Sequence, residues 1–451
     1  MAPLSGVPVS RCPQPVSPVA GSREVAFGAR PGAGSRLRGP CPEPEAVSGA
    51  RPRKRCGNTA LARTCGPTAE HSDFEEGEFV ILRRVTSTGV ASLACAALVL
   101  SAATPATAAN VKVGDVQQAL EALVKTGHVV GAIGAVYVDG KRIKTGSAGS
   151  RLLGGKGGAI PPTARYRIGS QTKAMTATAV LQLVREGKLS VDDKLSAVLP
   201  EVAEKDLVER ADEITVRNLI QLTSGIPDYL GPDTSSPTRD YRPADLLAAS
   251  RRNPRPVEVG TFNYSNTNYI LLGMIVEKLS GRSLAAELDR RLFAPLGMRA
   301  TYLPTKATEG IKGPHGHGYA PDASGTMRDA DQLNATTMLG AGGVVSTLHD
   351  VSAFQRAFRQ GRLLPQSLSK LITDPPPGQS PPPSGGPCAG NPEFAAGGGG
   401  SAPGFTAATI TSSDGRLQFA VSLTLAMDDA ERASTPSRIT NALKSVFCPA
   451  T

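Results

Sequence analysis

The sequence predicts an α/β chain of the α+β kind: one antiparallel sheet flanked by helices and assembled from both ends of the chain, with a mostly helical part inserted between. Three observations predict it. Asp139-Gly140 and Asp414-Gly415 each separate two runs of strand-forming residues, the mark of a tight hairpin, and one pair lies toward each end. A helical segment stands on the terminal side of each hairpin. From about Ser170 to Gly361, helical segments dominate.

In chain order, "DVQQALEALVKTG" (115–127) sets Val116, Leu120 and Leu123 at helical spacing and stops at Gly127. "GAIGAVYVDGKRIKTGSAG" (131–149) then reads as two strands around the first Asp-Gly turn. "YRIGSQTKAMTATAVLQLVREGKLS" (166–190) contains an apolar-rich run that ends at Gly187. In "GTFNYSNTNYILLGMIVEKLSG" (260–281), Ser265 or Asn266 is placed to cap a helix ending at Gly281. Residues 374–400 are rich in Pro and Gly. Two strands, "FTAATITSS" and "LQFAVSLTLAM", and a closing helix, "PSRITNALKSVF", complete the chain. There is no internal repeat.

The domain plan follows. Residues 1–79 are rich in Pro, Gly, Ser and Arg and lack apolar periodicity, which predicts an untranslated or disordered extension. Residues 80–108 have a basic start at Arg83 and Arg84, an apolar stretch from about Val90 to Ala103, and Ala106-Thr107-Ala108, the pattern of a secretory signal peptide. The run is shorter than a spanning helix needs and ends in Thr-Pro. A leader belongs at an N-terminus, so translation is expected to start at Val80, and peptides from before Val80 in the native product would refute that. The mature domain is then 109–451, with a sheet part at about 109–168 and 345–451 and a helical part at about 169–344. The expected location is outside the cell, without a membrane anchor.

Of 49 Lys and Arg and 39 Asp and Glu, 12 and 8 lie in residues 1–108, so the mature part carries +6. That mild charge implies solubility and gives no reason to expect nucleic acid as a partner. Of seven cysteines only Cys388 and Cys448 remain after residue 108, and in an exported chain they are expected to pair.

The chemistry begins at Ser170-Gln171-Thr172-Lys173. With Ser170 at a helix start, Lys173 lies one turn on and on the same face, so its amine reaches the hydroxyl. The unpaired N–H groups of the helix start favour developing negative charge, and a neighbouring base makes a serine nucleophilic. A second Ser-x-x-Lys, Ser367 to Lys370, stands just ahead of the Pro-rich stretch and is read as accidental. Tyr264-Ser265-Asn266 supplies a phenol able to relay protons and an amide able to orient substrate and lysine.

The ordered set "GSQTK", "NYSNTNYILLGMIVEKLSG", "PLGMRATYLP", "HGHGY", "GAGGVVSTLHDVSAFQRAF" and "APGF" resembles the serine β-lactamase and penicillin-binding protein family, particularly secreted actinobacterial D-alanyl-D-alanine carboxypeptidases and class C β-lactamases. The resemblance covers about 115–448. It implies a β-lactamase/transpeptidase-like fold with the site between sheet and helical part. It implies Ser170 as the acylated nucleophile, Lys173 as its base, Tyr264 as proton relay and Asn266 as a positioning group. It also implies a third motif, Lys or His followed by Thr, Ser or Gly and then Gly, which counting back from "PGF" places at Gly398-Gly399-Gly400. The cationic or imidazole side chain is missing there. Gly398 and Gly400 keep the backbone, and Ser401 matches the residue whose N–H joins that of Ser170 as oxyanion donor.

No Lys or Arg occurs from Pro375 to Gly415, so the strand offers no local cation for a substrate carboxylate. The family points to a D-alanyl-D-alanine carboxypeptidase acting on peptidoglycan peptides. The missing cation leaves open an esterase or amidase of uncharged acyl groups, or a binding protein that does not turn over. β-Lactams are expected as acylating ligands, and no carboxylate is placed to activate a deacylating water. No cofactor and a monomeric state are expected. His315 and His317 alternate, but no third ligand is spaced nearby, so they are read as loop residues rather than a metal site. There is no Gly-x-Ser-x-Gly elbow and no phosphate-binding or dinucleotide loop.

Overall fold

The computed structural model describes residues 113–125, 128–322, 325–331, 333–380, 394–395, 398–426 and 435–447. The extension, the leader, Gly127, Cys388 and Cys448 lie outside the described residues. Ten strands are present among those described: β1 (Val129–Val138), β2 (Lys141–Gly149), β3 (Tyr166–Arg167), β4 (Tyr319–Pro321), β5 (Met327–Asp329), β6 (Val345–Ser346), β7 (Phe394–Ala395), β8 (Gly399–Ala402), β9 (Phe405–Ser412) and β10 (Leu417–Leu425).

The main sheet is antiparallel in the order β2-β1-β10-β9-β7, with β8 also on β9. Its centre is the pairing of β1 with β10, Val129 opposite Leu425 and Val138 opposite Leu417, which joins the two ends of the domain as the sequence predicts. Both Asp-Gly hairpins form. At the first, Asp139 and Gly140 take φ of 50° and 78°, the left-handed pair that a two-residue turn matching strand twist demands.

Each face of the sheet is covered, and β1 shows how. Ile133, Ala135 and Tyr137 face the large core shared with the helical part, while Ala132 and Val136 alternate to the opposite face. There they meet Leu120 and Leu123 of the helix Val116–Val124 and Ile439 and Val446 of the helix Thr435–Phe447. Each such large side chain contributes roughly 1.5–3 kcal/mol by leaving water. Asp115 caps the first helix by accepting from the Gln118 N–H.

The helical part centres on two buried helices, Thr172–Arg185 and Thr267–Ser280. The first ends at Gly187 (φ 71°), where Lys188 N–H bonds back to Leu183 O. The second ends at Gly281 (φ 67°) as expected. Its start differs from expectation. Neither Ser265 nor Asn266 caps it, because Ser265 Oγ donates to Pro227 O and the Asn266 side chain is committed elsewhere. The stretch read as helical also holds the strand pair β4 with β5, and the strand β6, which pairs with β3 just ahead of it. Strands of two or three residues carry no periodicity to read.

No helix among the described residues is long and apolar enough to cross a membrane.

Candidate active site

Ser170 sits in the 3-10 turn Gly169–Gln171 that runs directly into the Thr172–Arg185 helix, so Lys173 falls in the first helical turn. Lys173 Nζ is 3.2 Å from Ser170 Oγ, 2.7 Å from Asn266 Oδ1 and 2.7 Å from Ala341 O. Tyr264 OH is 2.7 Å from Ser170 Oγ on the other side. The structure thus brings Ser170, Lys173, Tyr264 and Asn266 into one hydrogen-bonded set from two separate segments.

Protonation decides what that set can do. Burial pushes the Lys173 ammonium down from its usual value to about 7, against the opposing pull of the Asp228 carboxylate. A neutral amine has two N–H groups and one lone pair. Asn266 Oδ1 and Ala341 O are acceptors only and take the two hydrogens, which leaves the lone pair for the Ser170 O–H. Burial raises the Tyr264 phenol above its usual value, against a lowering contribution from its bond to Ser170. Near neutral pH the lysine is therefore the available base and the tyrosine the available acid.

Asp228 is a residue the sequence reading did not single out. Its Oδ2 accepts from both Asn266 N (3.0 Å) and Asn266 Nδ2 (2.8 Å), and its Oδ1 accepts from Leu230 N. A carboxylate only accepts, so it turns the amide nitrogen toward itself and the amide oxygen toward Lys173. The signal was weak in the sequence, since Asp228 and Asn266 are 38 residues apart.

β8 closes the opposite wall. Gly400 packs so tightly that a Cβ there would stand 2.0 Å from Ile168 O and 2.7 Å from Ser170 N. Gly169 (φ 55°) is equally confined, and its Cβ would meet Ser401 N at 2.6 Å. Only glycine at both positions lets the Ser401 backbone approach the Ser170 turn. A Cβ on Gly398 would meet only the Gln171 side chain, its Cγ at 3.2 Å, and one on Gly399 would meet open space. Gln171 Oε1 accepts from Thr409 Oγ1 at 2.9 Å and so ties the serine turn to β9.

Between these walls lies a cleft of about 640 Å³, the size of a small-molecule site. Ser170, Tyr264, Asn266, Gly398, Gly400 and Ser401 all line it, with Leu230 and Met338 among its apolar neighbours. No described residue on its lining is charged. The second Ser-x-x-Lys falls on the helix Gln366–Thr373, which has no buried residue. His315 and His317 lie outside the cleft and stack on each other, with ring centroids 4.8 Å apart. Asp331 stands beside them, the third group that local spacing did not reveal.

Residues 116–444 match the family model described as Beta-lactamase. Among curated proteins, penicillin-binding protein 4 of Amycolatopsis lactamdurans is 37% identical over 193 residues, 42% of this chain and 49% of that protein. Protein flp of Staphylococcus aureus is 30% identical over 192 residues, 42% of this chain and 38% of its own length. The match therefore spans less than half of either relative. Among solved structures, a D-stereospecific amidohydrolase from Streptomyces sp. matches 74% of this chain and 98% of its own, with TM-score 0.59 and 28% identity. D-amino acid amidase from Ochrobactrum anthropi SV3, at 23% identity, TM-score 0.61 and 73% and 97% coverage, shares the fold. The chain belongs to the beta-lactamase family of serine hydrolases.

Proposed function

We propose that Ser170 forms an acyl-enzyme and that the preferred substrates are uncharged amides or esters of D-configured residues, handled outside the cell. The uncharged cleft carries this reading. A peptide ending in a free carboxylate would be desolvated there with no described cation to receive it, a cost of several kcal/mol in a site of this kind. The 28% identity to a D-stereospecific amidohydrolase supports the D configuration.

In the proposed cycle, neutral Lys173 takes the Ser170 proton as Oγ attacks the acyl carbon. The oxyanion lies against the N–H groups of Ser170 and Ser401. The proton on Lys173 reaches the departing nitrogen or oxygen through the Tyr264 hydroxyl, and the acyl–leaving-group bond breaks. Water then attacks the acyl-enzyme, gives its proton to the same base, and Ser170 is restored as the acid product leaves.

The test compares hydrolysis of a D-aminoacyl amide, the matching ester and a peptide ending in D-Ala-D-Ala, using the wild type, Ser170→Ala and Gly398→His. We expect cleavage of the uncharged substrates, loss of it with Ser170→Ala, and little D-Ala release. Gly398→His should raise the ratio of charged to uncharged turnover roughly tenfold, the worth of one charge-assisted hydrogen bond. Rapid D-Ala release by the wild type would instead establish the carboxypeptidase, and labelling by a fluorescent penicillin without any turnover would establish a binding protein.

A further inference from the structure

We propose that His315, His317 and Asp331 form a binding site for a first-row divalent cation of the Zn²⁺ type, separate from the Ser170 cleft. One ligand atom from each residue lies within 4.8 Å of the other two. Two imidazoles and one carboxylate, leaving a fourth position for water, are a donor set that zinc accepts.

The surroundings favour metal-ready imidazoles. His315 Nδ1 is 2.6 Å from Gly313 O, and His317 Nδ1 is 2.7 Å from Asp329 Oδ2. Both partners are acceptors, so each ring donates its Nδ1–H there and keeps Nε2 for another partner. Histidines that ligate metals are oriented in this way, by a carbonyl or carboxylate behind the ring. Here each ring has one.

A second observation comes from the buried atoms. His315 is 7% exposed, and its Nε2 faces Asp331 Oδ1 at 2.8 Å, yet the pair lacks hydrogen-bond alignment and neither atom has another partner. A lone pair set against a carboxylate oxygen in a buried place calls for a positive charge between or beside them. The competing occupant is a proton on His315. Burial opposes it, but Asp331 and the Gly313 carbonyl outweigh burial and hold the imidazolium above the ordinary histidine range. The second ring argues for more than a proton: a His317 nitrogen lies within 4.8 Å of the ligand atoms of both His315 and Asp331, a donor that the His315–Asp331 pair alone does not use.

Zinc would draw the three atoms inward, since tetrahedral ligands at about 2.0–2.1 Å from the ion stand about 3.3 Å apart. His317 and Asp331 retain 21% and 19% side-chain exposure, which leaves the ion a way in. The backbone around the cluster reaches the wall of the cleft: Gly318 packs on Gly404, in the turn between β8 and β9, and Arg167 donates to Asp331 O at 2.7 Å. A metal here would brace the hairpin that carries Ser401, without touching substrate.

The experiment uses the untagged chain, stripped with a chelator and titrated with Zn²⁺ by calorimetry, and with Co²⁺ by visible absorption. We expect one Zn²⁺ per chain, a rise in Tm, and the cobalt bands of a four-coordinate nitrogen and oxygen site. His317→Ala and Asp331→Asn should each weaken binding at least tenfold. Asp329→Asn, which supplies no ligand itself but holds His317 Nδ1 and the Asp331 N–H, should weaken it about 10–100-fold through those two contacts and serves if a ligand variant fails to fold. Absence of saturable one-to-one binding by the wild type, or equal binding by the folded variants, would overturn the proposal.

Discussion

Gly400→Ala is the sharpest probe of the wall opposite Lys173. The added methyl would stand 2.0 Å from Ile168 O, 2.7 Å from Ser170 N and 3.0 Å from Gln171 N, all of them backbone atoms that cannot rotate away. Contacts below about 3 Å are strongly repulsive for carbon, so β8 must retreat from the serine turn by about 1 Å. That retreat carries the Ser401 N–H with it. Loss of one oxyanion donor costs about 10²–10³ in kcat, and a displacement of about 1 Å costs about 10²-fold by itself, so a fall of about 100-fold or more is expected. The assay is ester hydrolysis at saturating substrate, with the folded state checked by thermal melting. Gly399→Ala, whose methyl meets open space, is the control and should stay within about threefold of the wild type. A folded Gly400→Ala enzyme with wild-type kcat, or an equal loss in Gly399→Ala, would refute the reasoning.

Three further outcomes are expected. In the proposed cycle Lys173 acts as the free base, and its pKa is held at about 7, so kcat/KM for a neutral ester should rise with pH through the neutral range. Asp228→Asn removes the charge that opposes the burial effect, so that rising limb should move to lower pH, and a limb that stays in place would count against the Asp228 charge acting on Lys173. On stability, Glu287 is 1% exposed at its side chain, bonded to Arg290 and Arg291 at 2.9 and 2.5 Å, and those bonds hold its pKa at about 2 against an ordinary 4.5. Breaking a buried pair costs about 3–5 kcal/mol. Glu287→Gln should therefore melt well below the wild type at neutral pH. Because the folded carboxyl is depressed, its contribution is complete above pH 4.5 and is lost as pH falls toward 2, so the gap in Tm should close over that window.

What the sequence made legible was local. The Val116–Leu120–Leu123 spacing, the two Asp-Gly turns and the Ser170–Lys173 interval each declare themselves within a few residues, because helical and strand periods and turn chemistry are short-range properties. The tight approach of Gly400 to Ser170 was reached only by counting along a glycine run that no periodicity marks. Asp228 and Asp331 stayed hidden for a different reason. Each meets its partners through loops, 38 residues away for Asn266 and on the far side of the β4–β5 hairpin for His315, and nothing in the intervening sequence encodes that meeting. The short pairs β3–β6 and β4–β5 are set by tertiary contacts alone.

The pairing of β1 with β10 also dictates when the domain can become whole. Val129 waits for Leu425, so during synthesis the apolar faces of β1 have no strand partner on that edge until β10 has been made. Contacts of such long sequence separation form late, because closing a large loop is slow. A chain assembled in this order keeps its sheet open until β10 emerges, and any product truncated before β10 lacks the strand on which both cores close. The arrival of β10 therefore decides whether this domain can close.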